Sequence, residues 1–113
     1  MLGEHDYIVR AEWTGNRGVG TAGYRDYARD VTLRIEGKPD LLASSDKPFR
    51  GDPSRWNPED LLGSALATCH MLTFLALCSK TKVEVVGYED HAEALLDTKD
   101  KVTFITQVTL RPV

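Results

Sequence analysis

The chain has 113 residues and a mass of 12.6 kDa, one domain's worth and too short for two ordinary ones. With 42% apolar and 27% charged residues it can build a core, which excludes a disordered chain. A net charge of −3 and a pI near 5.5 argue against nucleic acid as the main partner. Along the chain, Tyr7, Val9, Ala11 and Trp13 alternate with Ile8, Arg10 and Glu12, a period near two that predicts a strand. Thr14-Gly15-Asn16-Arg17-Gly18 is dense in turn formers, and Val19 to Tyr24 is expected to start a second strand. Asp30 to Glu36 alternates strongly and reads as a strand closed by the turn Gly37-Lys38-Pro39-Asp40, followed by a short strand at Leu41 to Ala43. Ser44 to Arg55, polar and broken by Pro48, Gly51 and Pro53, is expected to be an ordered loop.

Asn57-Pro58-Glu59-Asp60 opens a helix: an N-cap, a proline suited to the first position, and two acids at the positive end of the dipole. Leu61 to Cys78 is free of charged residues, with apolar side chains on every side of the wheel, the pattern of a buried core helix. From Pro58 to Lys80 it would run about 34 Å. A chain of this size struggles to cover that length on all sides, so a second subunit is expected. Lys82 to Ala94 alternates and predicts another strand, Asp97 to Asp100 a turn, and Val102 to Leu110 a final strand. The order strands, helix, strands defines an α+β fold in a single domain, 1–113. No apolar run is expected to reach the roughly 18 residues of a membrane span. Glu4 and Asp6 are unlike a signal peptide, and two cysteines suit a reducing cytoplasm.

Cys69 lies inside the helix, where a cysteine is usually an inert small hydrophobe. Cys78 is nine residues further on, about 13 Å along the axis, too far for an intrachain disulfide in an intact helix. His70, adjacent in sequence, does not face Cys69 and is a poor base for it. Cys69, His70 and Cys78 lack the spacing of a zinc site, and no metal or cofactor is expected. A reactive Cys69 needs its thiolate stabilised, and the helix N-terminus is about 16 Å away. An arginine must therefore supply the charge, with Arg17, Arg25, Arg29, Arg50 and Arg55 as candidates in loops or turns. Glu59 is about 15 Å from Cys69 on a straight helix. It can act on the thiol only through an arginine, a helix break near Gly63-Ser64, or from another subunit. Otherwise it is simply a helix-start acid.

Asn57-Pro58-Glu59-Asp60-Leu61-Leu62, followed by Ser64 to Leu72 with Cys69, resembles the helix signature of the OsmC/Ohr family, the osmotically inducible and organic hydroperoxide resistance proteins. Trp13 to Asn16 and Ser44 to Arg55 look like its OsmC-like branch. The resemblance implies an intertwined homodimer with antiparallel β-sheets wrapped around long buried central helices. It also implies a cytoplasmic thiol peroxidase of the oxidative stress response. In that chemistry a helix cysteine attacks an organic hydroperoxide, becomes a sulfenic acid, and is returned through a disulfide by a dithiol such as dihydrolipoamide. Carried over by position, Cys69 is the peroxidatic cysteine and Glu59 the acid that orients an arginine. Arg17 matches the catalytic arginine of the Ohr branch and Arg50 is the second candidate. The family's resolving cysteine lies on a later helix, after a strand resembling Val102 to Leu110. This sequence ends before it: either it is a shortened chain lacking the family's C-terminal segment or it departs from two-cysteine chemistry, and as given its turnover is expected to need an external thiol. A different class of function also fits the composition: a non-catalytic dimer that binds an apolar small molecule between subunits.

Overall fold

The computed structural model describes residues 4–99 and 102–112. Its elements are β1 (Arg10–Trp13), β2 (Val31–Arg34), β3 (Leu41–Ala43), α1 (Pro58–Lys80), β4 (Glu93–Lys99) and β5 (Val102–Thr109), with a 3-10 turn at Lys47–Phe49. The chain clusters into two compact units, Met1–Pro58 and Glu59–Val113. The fold class is α+β, as the order of periodic segments predicts.

In the N-terminal unit, β1, β2 and β3 form an antiparallel sheet in that order. Ala11 faces Leu33, and Leu33 faces Leu41. Arg34 on β2 binds Glu12 on β1 and reaches Asp40, 3.4 Å away, so one guanidinium ties the strand to two carboxylates. The Arg34 pairing holds the Glu12 carboxyl below its ordinary range. Ala43, Thr32 and Ser44 are buried, and no large side chain is fully buried among the described residues.

Val19 to Tyr24 is not a strand. The Asn16 side chain accepts the amide N–H groups of Gly18 (2.9 Å) and Gly20 (3.0 Å), and those glycines take φ values of 108° and 56°. Turns closed by Ala22 N–H to Val19 O and Asp26 N–H to Gly23 O follow. Glycine freedom and the Asn16 carbonyl win over the short apolar alternation. The loop rejoins the sheet through Ala28 N–H to Gly15 O and Thr14 N–H to Asp30 O, both 2.9 Å.

In the C-terminal unit, α1 spans 23 residues, with the bounds its caps predict. Its end is a two-bond motif: Val83 N–H reaches Cys78 O (2.8 Å) and Lys82 N–H reaches Ser79 O (3.2 Å). The motif places Lys82 at φ 60°, where glycine is the usual residue. Lys82→Gly is expected to stabilise the fold by about 0.5–1 kcal/mol, the steric relief less the added freedom of the unfolded chain. The urea midpoint measures it.

The expectation of a buried helix is corrected for the single chain. Gly63 is its one buried residue, while Leu62, Leu66, Leu72, Phe74 and Leu77 are exposed. The helix is also long and apolar enough, by length and composition alone, to cross a membrane, with a mean hydropathy of 1.8. This corrects the expectation that no apolar run reaches the length of a membrane span: averaged over a window, the helix is apolar enough although Gly, Ser, Thr and His interrupt it. A core helix has the same composition.

β4 and β5 form an antiparallel ladder with a register shift between Leu95 and Leu96. β4 begins only at Glu93, so the strand expected over Lys82 to Ala94 is largely absent. Val83 and Val85 instead line a groove with α1, and Asp90 forms an isolated bridge to Pro112. Asp97 to Lys99, expected as a turn, belong to β4 and pair with β5, while Asp100 lies outside the described residues.

Candidate functional site

α1 displays Cys69 on an open face. At about 100° per residue, Leu62, Leu66, Cys69, Thr73 and Leu77 fall within about 80° of one another on the wheel. Leu62, Leu66 and Leu77 are 42%, 43% and 58% exposed, and Cys69 is an exposed free thiol. The thiol therefore sits midway along an apolar stripe of the helix, at one edge of that arc. On another side of the helix, Gly63 is buried; a Cβ there would meet the Ala94 side chain at 3.6 Å.

Cys78 is half-buried and lies elsewhere on the wheel. With Leu75, Ser79, Lys82, Val83, Glu84 and Val85 it lines an open groove of about 600 Å³. A second groove of about 350 Å³ is lined by His70, Phe74, Val85, Gly87, Tyr88 and Pro112. There Phe74 and Tyr88 stack at a 49° tilt with ring centroids 5.6 Å apart. Burial first, and the Asp90 carboxylate second, push the Tyr88 hydroxyl above its ordinary pKa. The Tyr88 hydroxyl is buried and has no hydrogen-bond partner among the described residues.

Glu59 lies in the first turn of α1 and is half-buried. It belongs to the same unit as Cys69, and ten residues of helix keep the two about 15 Å apart along one axis. A single helix thus does not bring the acid to the thiol. Arg17 and Arg50 belong to the N-terminal unit and are both exposed. Arg17 sits in the turn region after β1, between Asn16 and Gly18. Arg50 closes the 3-10 turn with φ 62° and ψ 29°, and its amide bonds Lys47 O. Nothing in the sequence pattern marked that backbone conformation, because arginine is not a turn-cap residue by composition.

The loop carrying Arg50 is tightly bonded. Asp46 caps the 3-10 turn through Lys47 N–H (2.8 Å), Gly51 N–H bonds Asp46 O (3.1 Å), and Asp52 N–H bonds Ser44 Oγ (3.0 Å). Ser54 donates its amide and hydroxyl to Asp52 Oδ1, which lowers the Asp52 pKa. Arg55 lies 3.7 Å from Asp30 and 3.7 Å from Asp52. Among the described residues, no group of His, Cys, Asp and Glu is arranged to hold a metal ion.

An α+β chain with one long helix, a motif thiol on it and antiparallel sheets defines a recognisable class. The model of the OsmC-like protein family matches residues 51–113, and the chain belongs to that family. The uncharacterized protein YmaD of Bacillus subtilis is 24% identical over 111 residues, covering 98% of this chain and 67% of that protein. A solved OsmC-like protein of unknown function from Vibrio cholerae superimposes with a TM-score of 0.83 at 28% identity. That match covers 97% of this chain and 74% of the other.

Proposed function

We propose that the protein is a thiol-dependent peroxidase that reduces organic hydroperoxides, with Cys69 as the peroxidatic residue. The observation that carries this reading is the exposure of the motif thiol midway along α1, beside the exposed apolar side chains Leu62 and Leu66. Those side chains give an alkyl hydroperoxide an apolar contact beside a nucleophile. The Cys69 thiolate attacks the distal peroxide oxygen; the O–O bond breaks, sulfur is oxidised to the sulfenic acid, and the alkoxide leaves and takes a proton as the alcohol. An external dithiol then condenses with the sulfenic acid, releasing water, and its second thiol displaces Cys69 as the reduced thiol. Glu59 orients the arginine that supports the thiolate. Reduced protein given cumene hydroperoxide and dihydrolipoamide should consume both in equal amounts. No consumption beyond the uncatalysed rate would sink the reading.

Apolar side chains of α1 outside the arc that carries Cys69 support a homodimer. Exposed Leu72 and Phe74 leave apolar surface that water covers poorly, and a second copy of the chain would bury it. Sedimentation at micromolar concentration should give twice the 12.6 kDa chain mass. A folded monomer would refute the dimer. The two grooves along α1 favour a second reading, a non-catalytic dimer that binds an apolar small molecule. Under that reading the protein binds such a ligand and consumes no peroxide.

A further inference from the structure

We infer that the groove between α1 and the Gly87-Tyr88 segment is a binding site for an apolar alcohol, with an aromatic body and one hydroxyl group. The groove measures about 350 Å³, is lined by His70, Phe74, Val85, Gly87, Tyr88 and Pro112, and lies wholly within the C-terminal unit. At its Tyr88 end, two buried oxygens have no hydrogen-bond partner among the described residues: the Tyr88 hydroxyl and Asp90 Oδ2. They therefore do not bond each other. Burial first, and the Asp90 carboxylate second, raise the Tyr88 pKa, so the two groups stand near enough to interact. A buried polar atom without a partner costs free energy, and a native fold keeps few of them. A donor and an acceptor left open beside one another suit a single group that can serve both.

Both groups are held in place. Asp90 pairs with Pro112 across an isolated bridge, and its Oδ1 accepts the Arg111 amide at 2.7 Å, which leaves Oδ2 spare. The Arg111 guanidinium is spent on Glu93, 2.9 Å away, and on His91 O. The Tyr88 ring rests against Phe74. A ligand hydroxyl would accept from the Tyr88 O–H and donate to Asp90 Oδ2, satisfying both. An ammonium can only donate, and would leave the tyrosine proton unpaired. A carboxylate can only accept, and would face Asp90. The rings of Phe74 and Tyr88, with Val85 and Pro112, give the body of the ligand an apolar wall. Both oxygens are closed to water in the free chain, so entry requires the Tyr88 ring to tilt. Gly87 beside it is exposed, with open space where a Cβ would stand, and a glycine absorbs a backbone change at little steric cost. Cys69 is not in the lining, so the site stands whether or not the thiol is reactive.

The test is an NMR titration of the full chain with benzyl alcohol, toluene and benzylamine, following the ring resonances of Tyr88 and Phe74. Benzyl alcohol should shift them and bind about tenfold tighter than toluene, the effect of one or two recovered hydrogen bonds. Benzylamine should bind less tightly than the alcohol. Tyr88→Phe removes only the hydroxyl, and should erase the preference for the alcohol while leaving toluene binding unchanged. The same variant should raise the urea midpoint of the free protein, because it removes an unpaired buried oxygen. Asp90→Asn keeps an acceptor for the Arg111 amide and should also weaken alcohol binding. Hydroperoxide consumption, assayed on the same preparation, decides the peroxidase reading by itself. Equal binding of benzyl alcohol and toluene, a preference that survives Tyr88→Phe, tighter binding of benzylamine than of the alcohol, a lowered urea midpoint for Tyr88→Phe, or no shift with any probe would each overturn the assignment.

Discussion

Replacing Cys69 with serine should abolish hydroperoxide consumption, and Cys78→Ser should leave the first oxidation step intact. A serine hydroxyl is not ionised near neutral pH and cannot form a sulfenic acid, so no residual route through position 69 exists. Cys78 stands in a different environment, half-buried in a groove with Lys82 and Glu84. It also cannot resolve the oxidised Cys69 within one helix. Nine residues place the two about 13 Å apart along the axis, and a disulfide needs Cα atoms within about 7 Å. Peroxide-consumption rates for the two variants, with an excess of external dithiol, measure the contrast. Equal loss in both would mean that Cys78 takes part in the chemistry.

Gly51→Ala should be the most destabilising single-methyl change in the loop between β3 and α1. A Cβ at Gly51 would overlap the Ser45 carbonyl oxygen and its carbon, both backbone atoms that cannot swing aside. The loop must then open, with loss of the Gly51 N–H to Asp46 O bond and strain on the Asp52 N–H to Ser44 Oγ bond. A loss of about 3 kcal/mol is expected, within the range for strain at a close backbone approach. Gly37→Ala is the comparison. Its φ of 84° also disfavours a side chain, but a Cβ there would meet nothing within 4 Å, so its loss should be smaller. Urea unfolding of the two variants separates collision from backbone preference. An unchanged midpoint for Gly51→Ala would contradict the loop geometry.

The helix was the most legible part of the sequence because its signals are local. Asn57, Pro58 and the two acids mark its start, and the charge-free run to Lys80 marks its extent. The register of Glu59 and Cys69 in the motif was legible for the same reason. Val19 to Tyr24 is illegible as a turn because the Asn16 side chain organises the glycines that follow it, an interaction that apolar periodicity does not carry. Lys82 to Ala94 alternates like a strand, but its valines line a groove with α1 rather than pair in a ladder. Exposure of α1 in the single chain was half legible: the sequence shows more apolar helix than a small chain can cover, yet not which side stays open. The backbone at Arg50 is the least legible: its left-handed conformation is a property of the folded loop, and arginine at such a position has no compositional signature.

The most direct measurement of the central claim is peptide mass mapping of reduced protein after one equivalent of cumene hydroperoxide in the presence of a sulfenic-acid trap. The account predicts one trapped adduct per chain, on the peptide containing Cys69, with the Cys78 thiol still free and no bridge between the two. An adduct confined to Cys78, or a disulfide joining Cys69 and Cys78 within the folded chain, would contradict it.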